Sequence, residues 1–246
     1  MKFKKIAALL GAFTIASSLL IAGCGNAGNS QKAWRVGTDA TYAPFGFKDK
    51  DSGKLAGFDI DIINAIANEE GIEADIQNLN FDALLPALQS NTIDIAISDM
   101  TISEERAKSV DIDNTNINSF KDLEGKRIGV SIGSTGAEIA SKIPNADVHQ
   151  FNIIVDAFLE LQNKGVDVVI NDTPVNEYYV NGKGKGIAKV TGEDYEAAPL
   201  GIAVKKGNTE LLNKINDGLA KIKANGKYAE IYKKWFGKEP PAEVLR

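Results

Sequence analysis

The chain has 246 residues, with 28 basic and 33 acidic side chains, a formal charge of −5, and 43% hydrophobic against 25% charged residues. That length accommodates two lobes of about 100 residues each, and the composition is that of a folded, mainly soluble protein rather than a disordered one. The acidic balance leaves no basic footprint for nucleic acid.

Lys2, Lys4 and Lys5 open the chain ahead of an apolar run that ends in small residues before Cys24. This is the order of a secretory signal, so residues 1–23 are expected to be removed. Leu20-Ile21-Ala22-Gly23-Cys24 matches the lipobox of bacterial lipoproteins, in which the cysteine takes lipid, and Cys24 is the only cysteine, with no disulfide to serve. Residues 24–33, small and polar, then read as a lipidated tether to the cell membrane. Without residues 1–23, which hold three lysines and no acids, 25 basic groups face 33 acidic ones and the charge becomes −8.

Past the tether, a short strand is expected at Arg35–Gly37 and another near Lys54–Leu55. Phe58, Ile62, Ile63 and Ile66 recur at helical spacing and predict a helix from Phe58 to about Asn68. Ile72–Gln77 alternates as a strand does, FDALLPALQ predicts a helix with Pro86 tolerated in its first turn, and TIDIAIS predicts a buried strand. A helix-like stretch around SEERAK gives way to a polar run and then to a new strand at Arg127. Near the end, LGIAVKK reads as a strand. Leu211, Leu212, Ile215, Leu219 and Ile222 line one face of a helix, and KYAEIYKKWFG forms a last amphipathic one with Tyr228, Ile231, Tyr232 and Trp235 packing inward.

One pattern occurs twice. Phe81 to Gln89 followed by Ile93 to Asp99 is echoed by Val155 to Gln162 followed by Val166 to Asp172, each a helix, a turn and an apolar strand ending at an aspartate. Arg35-Val36-Gly37 is echoed by Arg127-Ile128-Gly129. Two similar α/β lobes are therefore expected, with residues 34–112 and 201–246 in the first and 113–200 in the second. Ligands of open α/β sheets bind beyond the carboxyl ends of the strands. That makes Asp39–Tyr42, Ser98–Thr101, Ser131–Gly136 and Asn171–Thr173 four rims facing a cleft.

Several rim and neighbouring residues could hold a small zwitterion. Arg106 has the planar fork that pairs bidentately with a carboxylate, or is a solvated helix residue. Asp172 could take an ammonium, or cap the helix that starts at Thr173-Pro174. Asp39 could take a second donor, and Asp99 adds further negative charge. Tyr42 and Phe81 could wall an aliphatic stem, or belong to the core. Gly133 and Gly136 flank Ser134 and Thr135 ahead of a helix, an arrangement suited to a carboxylate. No Gly-Lys-Ser or Gly-Lys-Thr marks a phosphate loop. The one histidine, His149, lies in the polar stretch NADVHQF, which leaves no histidine metal cluster and no conventional Ser-His-Asp arrangement.

The stretches VGTDATYAPFGF, GFDIDIINAIA, FDALLPALQSNTIDIAISDMTISEERAKSVD, FKDLEGKRIGV, GSTGAE, VDVVINDTPV and GIAVKK together resemble bacterial solute-binding protein family 3, the polar amino-acid receptors of ABC importers. The resemblance implies a two-lobed α/β fold of the type II periplasmic-binding-protein kind, a monomer without cofactor or metal. It would close over one amino acid, glutamine or a basic one, and deliver it to a membrane permease. It sets the ligand carboxylate on Arg106 with Thr101, Ser134 and Thr135, and the ammonium against Asp172 and the Ser98 region. Tyr42, Phe81 and Asp39 then line the side-chain end. Asp99 stands where relatives carry a small residue, and either adds cation preference or points away.

The chain departs from the family near residues 112–113, where Ile112 passes almost directly to Asp113-Asn114-Thr115. Judged against relatives, a segment is missing there, and the second lobe should lack one strand and one hinge crossing, leaving an unpaired edge. Two other readings stand beside the receptor: a degenerate or non-transporting amino-acid sensor, and a cyclohexadienyl-dehydratase-like enzyme.

Overall fold

Val36, Ile95 and Ile128 are completely buried, as strands covered on both faces must be, and around them the chain builds two parallel sheets. The computed structural model describes residues 33–102, 123–190, 199–242 and 244–245. The first sheet contains β1 (Trp34–Thr38), β5 (Ala74–Asn78), β6 (Ile95–Ala96) and β10 (Ala203–Val204) in the order β10-β6-β1-β5, with only β10 antiparallel to its neighbour. The second contains β7 (Arg127–Ser131), β8 (Asp147–Phe151) and β9 (Val168–Val169) in the order β8-β7-β9, all parallel. A third, antiparallel sheet is made by β2 (Thr41–Tyr42), β3 (Gly46–Lys48) and β4 (Leu55–Ala56).

The duplication seen in the sequence is repeated in hydrogen bonds. Arg35 donates from its main-chain N–H and from Nε to Asp94 Oδ2, both at 3.0 Å, and from Nη2 to Oδ1 at 2.5 Å. Arg127 treats Asp167 the same way, at 3.0, 3.1 and 2.6 Å. In each sheet this clip ties the start of the central strand to the turn before its neighbour, and a 2.8 Å bond from the aspartate N–H to the arginine carbonyl completes it. The matching helices α2 (Phe81–Gln89) and α4 (Ile154–Gln162) lie over β1 and β7. There an added Cβ at Gly37 would meet Ile93 and Leu84, and one at Gly129 would meet Ala157 and Val166.

Helix α1 (Phe58–Glu69) buries Phe58, Ile62, Ile63 and Ile66 against α6 (Thr209–Ala224) and α7 (Lys227–Phe236), so the end of the chain packs onto the first sheet's layer. Leu211, Ile215 and Ile222 form the buried face of α6. From α7, Tyr228, Tyr232 and Phe236 surround the Phe58 ring at centroid distances of 5.9, 6.0 and 5.1 Å, and Trp235 Nε1 donates to Asp61 Oδ2 at 2.7 Å.

Three features differ from the sequence reading. Pro86 is not in the first turn of α2 but inside the helix, where its missing N–H leaves the Asp82 carbonyl without its helical donor. The hairpin β2-β3 and the half-exposed strand β8 are additional elements. Residues 100–102 run antiparallel to 199–201, through a Thr101–Leu200 bridge and bonds of 2.9 Å from Ile102 N to Pro199 O and from Gly201 N to Met100 O. The connection expected to be shortened near 112–113 lies outside the described residues; among those described, β9 is an edge strand.

Gly57 seats α1 on the hairpin sheet. Phe58 and Asp59 donate their N–H groups to Pro44 O and Phe45 O at 2.9 and 3.0 Å, with Gly57 at φ 139°. A Cβ there would stand 2.0 Å from the Phe45 carbonyl oxygen. Gly57→Ala is expected to cost about 3 kcal/mol or more in urea unfolding, because the obstacle is backbone and cannot rotate away; an unchanged midpoint would refute this role.

Candidate functional site

Parallel strands that start on one side must also end together, so the loops after β1, β6, β7 and β9 open onto common ground. They border a cleft that is partly open to solvent. The first sheet and its loops contribute Asp39, Tyr42, Phe81, Asp99 and Thr101; the second contributes Ser131, Ser134, Thr135 and Asp172.

Each side chain arrives for a local reason. Asp39 follows β1 and turns its Oδ1 back to accept from Thr41 N–H at 2.9 Å and Thr41 Oγ1 at 2.7 Å. The Phe81 N–H, at the start of α2, also donates to it, while burial pushes its carboxyl up from the ordinary value. Asp172 occupies the cap position of α5 (Thr173–Asn181), but its side chain makes no capping bond. Its Oδ2 instead accepts from Tyr42 Oη at 2.5 Å.

Tyr42 Oη also stands against the Asn171 amide. A hydroxyl has one proton to give, and Asn171 Nδ2 has no partner. Both are satisfied when the amide is turned end for end, so that Nδ2 donates to Tyr42 Oη and Oη donates to Asp172. The hydroxyl thus bridges the hairpin sheet and the end of β9. Burial, then the charges of Asp172 and Asp99, hold its pKa well above that of a free tyrosine.

Asp99 has φ 47°, a left-handed conformation that aspartate tolerates better than most residues. Its N–H donates to Asp59 Oδ2 at 2.8 Å. Asp59 is itself buried on α1, and burial pushes its carboxyl up to about 7 against the opposing pull of that hydrogen bond. Asp99 is held well above the carboxylate range by burial first and by the Asp172 and Asp59 charges next.

Of the sequence candidates, Asp39, Tyr42, Phe81, Asp99, Thr101, Ser134, Thr135 and Asp172 are brought together. Ser98 is not: it is 2% exposed, and its Oγ accepts from the Asp39 N–H at 3.0 Å, so it supports the loop rather than lining the cleft. The Ser134 hydroxyl is engaged locally, donating to Ser131 O at 2.8 Å and accepting from Ala137 N–H at 3.1 Å at the start of α3 (Thr135–Ala140). Gly136 lets that turn approach the end of β9, since a Cβ would lie 2.7 Å from Ile170 O. Arg106 and Cys24 lie outside the described residues. Ser131 entered the sequence reading only as the first residue of the Ser131–Gly136 rim, and Asp59 was not singled out. Asp59 had a signal: it shares the helical face of Ile62, Ile63 and Ile66, an acid on an apolar stripe.

Residues 34–238 match the family described as bacterial extracellular solute-binding proteins, family 3. The chain belongs to this family. It is 33% identical over 250 residues to a probable histidine-binding protein of Neisseria gonorrhoeae, covering 91% of this chain and 93% of that one. It is 32% identical to the ABC transporter glutamine-binding protein GlnH of Bacillus subtilis (strain 168), covering 96% and 97%. That match runs over 272 positions, more than this chain's 246 residues, so GlnH has residues this chain lacks.

Among solved structures, an ancestral arginine-binding protein bound to arginine superposes with a TM-score of 0.77 at 42% identity, covering 85% of this chain and all of that one. AncCDT-1, an ancestral amino acid-binding protein and precursor of cyclohexadienyl dehydratase, superposes at 0.74 with 36% identity, covering 83% and 95%. The fold is therefore that of the two-lobed amino-acid-binding proteins, and the chain is an amino-acid-binding subunit that partners an ABC permease outside the cytoplasm. No helix among the described residues is long and apolar enough to cross a membrane.

The Asp59 carboxyl has a measurable consequence. With a folded pKa near 7 against an ordinary 3.8, the native state keeps a proton that the unfolded chain releases, so stability falls as pH rises between these values. Asp59→Asn keeps an oxygen for the Asp99 N–H and removes the titration. Its melting temperature should decline less than the wild type's across that window in calorimetric scans; parallel curves would refute the assignment.

Proposed function

We propose that the chain captures glutamine or a basic amino acid by closing its two lobes over the ligand, and hands it to its permease from a lipid anchor at Cys24. The observation that carries this is the excess of carboxylates in the cleft: Asp39, Asp99 and Asp172 line it, and no lysine or arginine among the described residues does. Such a surface favours a ligand with surplus donors. Relatives named for histidine, arginine and glutamine fit this range.

In this reading the ligand ammonium meets Asp172, and Tyr42 and Phe81 wall the stem beside Asp39. The carboxylate goes to Arg106, Thr101 and the loop of Ser134 and Thr135. A ligand contacting both lobes shifts the population toward the closed form, which a permease can distinguish from the empty one. A single acyl chain anchors only marginally, so the additional chains expected on a lipoprotein cysteine matter for retention. We place the residues missing relative to GlnH near 112–113, where the crossing between lobes is shortened. The protein is proposed to act as a monomer.

Titration calorimetry with glutamine, arginine, lysine and histidine tests the assignment. At least one should bind, and Asp172→Asn or Arg106→Ala should weaken it by at least about 30-fold, the loss of one partner of a buried charge pair; undiminished binding by both variants would overturn it. Tyr42→Phe provides a separate check. In this reading the ligand ammonium takes the Asp172 oxygen that now accepts from the Tyr42 hydroxyl, so removing that competitor while keeping the ring should tighten binding severalfold. Weaker binding would mean that the hydroxyl contacts the ligand instead.

A further inference from the structure

The three cleft carboxylates sit at three strand ends, Asp39 after β1, Asp99 after β6 and Asp172 after β9, but their surroundings differ. Asp39 accepts from the Thr41 N–H and hydroxyl and from the Phe81 N–H. Asp172 accepts from Tyr42. Asp99 is 6% exposed, lines the same cleft, and its Oδ2 has no hydrogen-bond partner. An orphaned carboxylate oxygen at such depth is costly, and the cost is relieved either by a proton or by an incoming cation.

The groups that act on it are acids. Asp172 faces it from the start of α5, Asp59 from α1 and Tyr42 from β2, and Asp39 shares the cleft from the loop after β1. The other described polar residues of the lining are serines and threonines, which carry no charge. Asp172 and Asp99 are near enough for each charge to oppose ionisation of the other.

Resting on the reading of this cleft as an amino-acid site, we propose that Asp99 is a second acceptor for the ligand's α-ammonium, beside Asp172, and that ammonium entry expels a proton held by this carboxylate pair in the empty protein. The step breaks one carboxyl O–H bond and sends its proton to solvent, while the ammonium supplies the positive charge that the proton had supplied. Loading is then linked to pH. Burial and the neighbouring charges keep Asp99 protonated above the ordinary carboxylate range, and an adjacent cation lowers that threshold. Between the empty-state and loaded-state thresholds, affinity rises with pH, by up to about tenfold per unit for one proton released.

The test is calorimetric titration of the purified chain with arginine, glutamine, lysine and histidine in phosphate and in Tris, whose ionisation heats differ, repeated at several pH values. Wild type should show a buffer-dependent heat equivalent to proton release and an affinity that climbs with pH. Asp99→Asn, which suits the left-handed backbone, and Asp99→Gly, which relaxes it, should both still bind while losing most of the buffer dependence and the pH slope. Binding by wild type without proton release, or release that persists unchanged in both variants, would overturn the role of Asp99 alone. Failure of wild type to bind any of the four amino acids would overturn the receptor reading and this inference with it.

Discussion

Everything functional in this molecule follows from parallel pairing around two central strands. β1 is flanked by β5 and β6, β7 by β8 and β9, and a parallel strand cannot end on the opposite side from its neighbour. Loops leaving β1, β6, β7 and β9 are thus forced to collect at one edge of each sheet. The side chains at the ends of those strands or just beyond them, Asp39 and Asp99 in one sheet and Ser131 and Asp172 in the other, are gathered there by the helices that return the chain to the start of each strand.

Collecting acids at one place has an energetic cost, and the structure limits it unevenly. Asp39 is stabilised by donors from its own loop and by the start of α2. Asp172 accepts from the Tyr42 hydroxyl, which in turn accepts from the turned Asn171 amide. Asp59 serves Asp99 by accepting its main-chain N–H, and in doing so adds another negative charge behind it. The carboxylates that hold the scaffold are therefore satisfied, while the one left with an orphaned oxygen faces the cleft. Burial does not make this distinction, since Asp39, Asp59 and Asp99 are all nearly inaccessible.

The helix–strand echo and the strand-end rims were legible in the sequence because apolar runs and the residues that terminate them obey simple periodicities. Ser98 illustrates where that reading stops. Its place at a strand end suggests a ligand contact, but strand alternation turns it toward the Asp39 N–H, and only the register of β6 against β1 reveals this. The hairpin β2-β3 is invisible for another reason: its strands span two and three residues, too short for any period. β8 has no buried position, only exposed and half-buried ones without strict alternation, so it reads as polar loop. Whether Asp172 capped a helix or faced a ligand could not be separated by spacing, because both need an acid before Thr173-Pro174; the geometry of α5 shows that its side chain makes no capping bond.

The two arginine clips give the charge distribution its direction. Arg35 and Arg127 sit near the starts of β1 and β7, at the far end of those strands from the cleft, and each is already joined to an aspartate by three hydrogen bonds. Their charge cannot reach the strand ends, nor is it free to. The clips are thus neutral ion pairs where the strands begin, and the acids that no lysine or arginine among the described residues faces in the cleft collect where the strands finish, in both halves of the duplication. A scaffold polarised this way gains most from a ligand that brings its own cation to the cleft, and the resulting loss of repulsion among Asp39, Asp99 and Asp172 is available only when loops from both sheets surround that cation together. Under the proposed function, the drive to close and the preference for a donor-rich ligand would come from the same source.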